Sequence, residues 1–239
     1  FLQAPIQSDL VHVHTWYTHF AGLLAKLNLG IPLVVTAHSL EPLRPWKREQ
    51  LGKGYDFTCW LEKTTIELAD AVIGVSCETR KDILDHFTID PNRVHAIHNG
   101  VDPEEYRPVD SPDVLRDIGI NPDRPYVLFV GRITQQKGIF HLLQATRWID
   151  EGAQIVIQAS AADTEELETR FATEVDRLQR QRRGIFWLRK PLDLLPKVAL
   201  YSHAAVFCCP SIYEPFGIIN VEAMACGTAV VASAVGGIK

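Results

Sequence analysis

Two glutamates, Glu214 and Glu222, stand with seven residues between them in the stretch 213–237, YEPFGIINVEAMACGTAVVASAVGG. Glu214 falls in a turn broken by Pro215 and Gly217, and Ile218, Val221, Glu222 and Ala225 follow at helical spacing. This predicts a helix that begins just after Glu214 and carries Glu222 about two turns along, with a buried strand at 228–232. A helix start leaves its first backbone N–H groups without intrahelical partners, so Phe216, Gly217 and Ile218 offer donors suited to a diphosphate. The plain alternative is an ordinary strand–turn–helix with two solvated glutamates.

A second constellation is Gly131-Arg132-Ile133-Thr134-Gln135-Gln136-Lys137-Gly138, with two cations five apart in a glycine-bounded loop that opens a helix. A guanidinium fork and an ammonium point charge there suit a diphosphate leaving group, against the alternative of a solvated basic loop. The Gly-x4-Gly-Lys-Ser/Thr order of a P-loop is absent, and no Asp-x-Asp pair occurs to bridge a metal to a nucleotide diphosphate. Arg132 and Lys137 are therefore expected to supply the compensating charge, with no metal and no cofactor. His12 and His14 alternate on one strand face, which is a metal-ligand pattern. No carboxylate–histidine cluster elsewhere completes a coordination set, so packed or hydrogen-bonded histidines are the preferred reading.

These groups need elements to position them. Near-continuous apolar strands are expected at 10–14, 33–37, 71–75, 94–97, 126–130, 154–159, 185–188 and 204–209. Helices are expected at 15–29, 57–68, 81–87, 139–149, 164–182 and 194–203, with Ser76 as a cap. Phe20, Leu23, Leu24 and Leu27 mark one face of the first helix, and Trp60, Leu61, Thr64 and Leu68 one face of the second. The alternation indicates two parallel, doubly wound α/β units. Pro103, Pro108, Pro112, Pro122 and Pro125, with Pro91 upstream, interrupt a charged and weakly periodic stretch. The expected division is an N-terminal domain over 1–106, a linker over 107–125 and a C-terminal domain over 126–239. Both domains look partial, and the expectation is a piece of a longer chain whose missing elements complete the sheets.

In open parallel sheets ligands bind beyond the carboxyl ends of strands. His38, Asn99, Arg132 and Glu214 each follow such an end, which predicts a cleft with a site shared across it. The polar loop 38–54 carries Glu41, Arg44, Trp46, Lys47, Arg48 and Glu49, more than a plain connection needs.

Composition narrows the class. A net charge of −5 argues against nucleic acid or an acidic membrane surface as the main partner. Five cysteines, an odd count with no Cys-x-x-Cys, read as buried thiols in a reducing compartment. No apolar run reaches transmembrane length and no signal peptide opens the chain, so the cytoplasm is the expected location.

Gly131-Arg132-x4-Lys137-Gly138 together with Glu214-x7-Glu222 resembles the donor site of retaining glycosyltransferases of family 4 and their glycogen-synthase relatives, which have the two-Rossmann GT-B fold. Thr36-Ala37-His38-Ser39-Leu40-Glu41-Pro42-Leu43-Arg44-Pro45-Trp46-Lys47 and His98-Asn99-Gly100-Val101-Asp102 look most like bacterial glycogen synthases, of the actinobacterial group that makes α-maltose-1-phosphate from ADP-glucose. The resemblance covers nearly the whole chain. It implies that Arg132 and Lys137 hold the donor's phosphates and that Glu222 hydrogen-bonds the nucleotide ribose. It also implies that Glu214, helped by the amides of Phe216, Gly217 and Ile218, contacts hydroxyls of the transferred glucose. His38 would contact the sugar near the reacting carbon, and Asn99 would line the same pocket. Thr15 and Trp16 match an acceptor-side position where glycogen synthases more often carry Asp-Trp, and the family's first Gly-rich loop has no counterpart here.

The implied reaction moves glucose from a nucleotide sugar to an α-1,4-glucan or to glucose-1-phosphate. Arg44, Lys47 and Arg48 are candidates to grip a phosphorylated acceptor, or else form a solvated loop. No carboxylate is an evident nucleophile, which favours same-face attack with the leaving phosphate oxygen taking the acceptor's proton. The rival readings are a family 4 enzyme with another donor and acceptor, a metal-dependent hydrolase built on His12 and His14, and a sugar-nucleotide-binding protein without turnover.

Overall fold

The computed structural model describes residues 7–239. Its contacts divide into two compact units, residues 1–99 and 100–239.

In the first unit the strands β1 (Val11–His14), β2 (Leu33–Ala37), β3 (Ala71–Gly74) and β4 (Val94–Ala96) lie in the order β1-β2-β3-β4, all parallel. Helices α1 (Trp16–Leu29), α2 (Lys47–Leu51), α3 (Gly54–Leu68) and α4 (Cys77–His86) connect them. Val13, Leu33, Val35, Val72, Ile66 and Ile83 form the apolar centre. Gly30 ends α1 in the left-handed region, its N–H returning to the Lys26 carbonyl. Ser76 caps α4 by accepting from the Thr79 N–H.

The helix faces differ from those the apolar spacing suggests. In α1 the buried residues are His19, Gly22, Leu23 and Ala25, whereas Phe20 and Leu27 are exposed. Gly22 decides this. A Cβ there would stand 2.7 Å from Val13 and 2.8 Å from Leu33, so the helix approaches the sheet closely at Gly22 and turns Phe20 and Leu27 outward. In α3, Tyr55, Thr58, Leu61, Glu62, Thr65 and Ile66 are buried, while Trp60 and Leu68 are exposed. Of the polar members of that face, Tyr55, Thr58 and Glu62 are engaged by Glu41, and the Thr65 hydroxyl donates to the Leu61 carbonyl at 2.7 Å.

His19 has 2% of its surface exposed, and neither ring nitrogen meets a hydrogen-bonding partner among the described residues. Burial lowers its pKa to about 4. The unfolded chain then binds a proton that the folded chain refuses, so stability falls as pH drops below about 6.5 toward 4. Urea unfolding is expected to show a loss of roughly 2 kcal/mol between pH 7 and pH 5 from this group, largely removed in His19→Leu. Parallel pH curves for the two proteins would refute the assignment.

The second unit contains α5 (Pro112–Asp117), β5 (Tyr126–Val130), α6 (Ile139–Ala145), β6 (Gln154–Gln158), α7 (Glu165–Gln181) and β7 (Ile185–Leu188). It continues with α8 (Leu194–Ser202), β8 (Val206–Cys209), α9 (Ile218–Ala225) and β9 (Val230–Ala232). The five parallel strands run in the order β7-β6-β5-β8-β9, so the winding reverses between β5 and β8. One apolar cluster gathers Leu128, Val156, Phe207 and α8; the other gathers Phe129, Ile155, Ile157 and the Phe171, Val175 and Leu178 stripe of α7. Residues 107–125 are packed onto this unit: Leu115 and Ile120 are fully buried, and the Val109 N–H donates to Ser202 Oγ at 3.1 Å.

Candidate active site

The reversal of strand order between β5 and β8 opens a crevice beyond their carboxyl ends. The loop after β5 and the loop after β8 are joined there. The Ile212 N–H donates to the Gln136 carbonyl at 2.9 Å, and Gly138 lies so close to Pro210 that an added Cβ would stand 1.9 Å from its carbonyl oxygen. The buried Thr134 hydroxyl accepts from the Lys137 N–H at 3.1 Å and shapes the turn that carries Lys137.

This stitching brings Lys137 Nζ to 2.6 Å from Glu214 Oε2, which also accepts from Ser211 Oγ at 3.2 Å. Glu214 is 6% exposed, so it is not a solvated carboxylate. Both donors fall on one oxygen, which leaves Oε1 its acceptor capacity, and an ammonium with one partner keeps two N–H groups for others. The Glu214 carbonyl accepts from the Gly237 N–H at 2.9 Å. Gly237 approaches so near that a Cβ would stand 2.8 Å from the Phe216 Cα. Gly217, at φ 90°, then turns the chain into α9, starting at Ile218.

Glu222 sits little more than one turn into α9, rather than two, because the helix starts only at Ile218. It is 7% exposed, and its Oε2 accepts from Tyr201 Oη at 2.8 Å and pairs with Lys197 Nζ at 2.8 Å. Lys197 also donates to Tyr106 Oη at 3.0 Å. Burial works against the lysine's charge, but its bonds to Glu222 and Tyr106 outweigh it and raise its pKa. Arg132 stands apart from both glutamates: it pairs with Asp163 at 2.7 Å and is half exposed.

In the first unit, His38 follows β2, and its Nε2 lies 2.9 Å from His14 Nδ1. His12 Nε2 lies 2.7 Å from Thr36 Oγ1, and the rings of His12 and His14 stand 4.4 Å apart. Burial, then His14 and His12, lower the His38 pKa, so that ring is neutral at pH 7. These bonds account for the His12–His14 pair, and among the described residues no group of three or more His, Cys, Asp or Glu side chains is arranged to hold a metal. Thr15 holds φ 64°, the one positive φ outside glycine among the described residues. That strain of about 1–3 kcal/mol sits at the turn from β1 into Trp16, the first residue of α1. Asn99 is half-buried after β4.

Arg44 and Lys47 do not form a solvated loop. Both lie 3.4 Å from Oε1 of Glu41, which is 1% exposed and whose Oε2 accepts from Thr58 at 3.2 Å. Glu62 Oε2 accepts from the Glu41 N–H at 2.7 Å, and burial, reinforced by the Glu41 charge, pushes the Glu62 pKa to about 8. With Glu62 largely protonated at pH 7, two cations face one carboxylate. Arg48 instead pairs with Asp56 at the surface. Lys197, Tyr201, Asp163 and His14 went unnoticed as partners in the sequence, because no local spacing links them to the residues they hold.

Residues 2–105 match the family model described as Glycosyltransferase Family 4, and residues 110–239 match Glycosyl transferases group 1. The chain belongs to this glycosyltransferase family. It is 51% identical to the alpha-maltose-1-phosphate synthase of Mycolicibacterium smegmatis over 97% of its length, covering 61% of that relative. It is 32% identical to D-inositol 3-phosphate glycosyltransferase 2 of Catenulispora acidiphila over 99% of its length, covering 57% of that protein. Among solved structures, a sucrose-phosphate synthase from Thermosynechococcus elongatus superposes with a TM-score of 0.80 at 28% identity, over 97% of this chain and 57% of that one. Anabaena Alr3699/HepE, solved with UDP and glucose, superposes at 0.79 and 21% identity over 96% of this chain and 60% of that one, a likeness of fold alone. The two α/β units with parallel sheets are thus those of a GT-B glycosyltransferase. No helix among the described residues is long and apolar enough to cross a membrane.

Proposed function

We propose that the protein to which this glycosyltransferase chain belongs transfers glucose from ADP-glucose, with retention of configuration, to glucose-1-phosphate. The observation that carries the reading is the buried Lys137–Glu214 pair at the reversal of strand order. The identity of 51% to an alpha-maltose-1-phosphate synthase supports the choice of donor and acceptor. Lys137 and Arg132 bind the diphosphate, with the N–H groups of Gly217 and Ile218 and the backbone at Phe216 completing the cradle. Glu214 accepts hydrogen bonds from the glucose hydroxyls and Glu222 from the ribose. His38, a neutral ring anchored through Nε2 by His14, is the first unit's contact to the sugar near the reacting carbon, and Asn99 is a further donor-binding residue. As the anomeric C–O bond breaks, negative charge gathers on the diphosphate, where the two cations stabilise it. The acceptor hydroxyl then adds on the face that the leaving group vacates, giving its proton to the departing phosphate oxygen. No metal or cofactor has a role in this scheme.

On the acceptor side, Thr15 and Trp16 flank the sugar, and Arg44 and Lys47 bind the phosphate. Their shared single carboxylate leaves one positive charge in excess when Glu62 is protonated. Five free cysteines suit a reducing cytoplasm as the place of work.

The test is nucleotide release by the full-length parent, given ADP-glucose or UDP-glucose with glucose-1-phosphate or glycogen. Release with ADP-glucose plus glucose-1-phosphate alone is expected. Preference for glycogen would replace the acceptor assignment with chain elongation, and silence in every combination would remove the substrate assignment. Lys47→Ala is expected to raise the KM for glucose-1-phosphate about tenfold while sparing hydrolysis of the donor. Equal loss of both activities would sink the phosphate role.

A further inference from the structure

Outside the Lys137–Glu214 pair, a second cluster of polar side chains in the second unit surrounds Lys197. The lysine comes from α8, one turn before Tyr201, and its ammonium lies 2.8 Å from Glu222 Oε2 and 3.0 Å from Tyr106 Oη. It also stands 5.1 Å from the centre of the Tyr106 ring and 5.8 Å from that of Tyr201, so its charge is sheltered by two aromatic faces. Tyr201 is itself fixed: it is fully buried, its ring packs edge-on against Phe207, and its carbonyl accepts from the Thr228 hydroxyl. The carboxylate of Glu222 is thereby pinned from two sides through one oxygen.

We infer that Lys197 is a positioning residue for the donor nucleotide, locking Glu222 so that only its Oε1 is offered to a ligand. The inference rests on the reading of Glu222 as the ribose-binding carboxylate. The terminal torsion of a glutamate is broad, so one hydrogen bond leaves its carboxylate more freedom than two partners on the same oxygen. Tyr201 alone supplies one hydrogen bond and no charge. Lys197 supplies a counter-charge on the same oxygen, and a charged acceptor makes stronger hydrogen bonds to vicinal hydroxyls than a neutral one. Tyr106 fixes the lysine in turn and itself lies against Glu222, which makes it part of the same device.

The experiment uses the full-length protein with ADP-glucose and its 2′,3′-dideoxyribose counterpart. For the wild type the lost hydroxyls are expected to raise the donor KM by about 10- to 100-fold. In Lys197→Met the KM for ADP-glucose is expected to rise about tenfold with kcat little changed, and the penalty for the dideoxy donor to shrink to a few-fold. Glu222→Gln serves as the reference and is expected to shrink the same penalty. A Lys197→Met protein that keeps the wild-type KM and the full penalty, while Glu222→Gln loses it, overturns the role of Lys197 and leaves the reading of Glu222 standing. An undiminished penalty in Glu222→Gln removes that reading, and the inference with it. Should Lys197→Met not fold, Tyr106→Phe carries the test: a raised donor KM and a partly reduced penalty support the device, and unchanged values overturn it.

Discussion

Replacing Lys137 by Met is expected to lower kcat/KM for nucleotide release by about two to three orders of magnitude, on the order of 3–4 kcal/mol of transition-state stabilisation. The ammonium is held 2.6 Å from Glu214 Oε2 with only 17% of its side chain exposed, so it needs little reorganisation as charge develops on the leaving diphosphate. The same substitution strips a buried carboxylate of its counter-charge, which by itself costs about 3–5 kcal/mol of stability. The two effects separate in the double variant Lys137→Met, Glu214→Gln, compared with Glu214→Gln alone, which carries the loss of the glucose contact by itself. Removing both charges restores stability to a buried pair but returns no cation to the diphosphate. Urea unfolding and single-turnover release are the measurements. A double variant that regains activity along with stability would make Lys137 a structural residue only.

Gly138→Ala is the second large effect. Gly138 sits at φ 61°, and a Cβ there would stand 1.9 Å from the Pro210 carbonyl oxygen and 2.9 Å from its carbon. A left-handed alanine costs about 1–2 kcal/mol, and forcing a methyl against backbone that cannot rotate away adds about 1–3 kcal/mol. The strain relaxes by parting the loop after β5 from the loop after β8, which draws Lys137 off Glu214. Loss of about 3 kcal/mol in urea unfolding, with a drop in turnover beyond what the unfolded fraction explains, is therefore expected. Gly131→Ala is the control, since its Cβ would meet the Phe129 ring at 3.2 Å and the Lys137 side chain at an ordinary contact distance of 3.9 Å, with no backbone in the way. Equal, small effects at both glycines would show that the close approach to Pro210 does not govern the site.

How much of this was legible beforehand depends on the range over which each feature is determined. The strands 33–37, 126–130 and 185–188 fall where their apolar runs predict, because a strand covered on both faces needs an unbroken apolar run and little else. The loop after β5 and the two glutamates stand out by type and spacing, since they follow strand ends, where open parallel sheets bind ligands. The cap Ser76 is equally local, accepting from an N–H three residues on.

Distance along the chain is what hides the rest. Lys137 and Glu214 are 77 residues apart, and they meet only because the strand order reverses between β5 and β8. The engagement of Glu222 by Lys197 and Tyr201 depends on how α8 packs against α9, and no periodicity in either helix encodes it. In α1 the large apolar residues Phe20 and Leu27 suggest a face that the helix does not bury, since the close approach at Gly22 sets its rotation. The types of Arg44 and Lys47 fit a phosphate grip and a solvated loop alike, and only the burial of Glu41 beneath them separates the two. The sequence by itself determined the class of fold, the strands and the kinds of group available for chemistry, because apolar runs and turn residues act locally. The tertiary structure alone decided which charges are buried, which are paired and which oxygen of each glutamate stays open, because those depend on contacts that only packing creates.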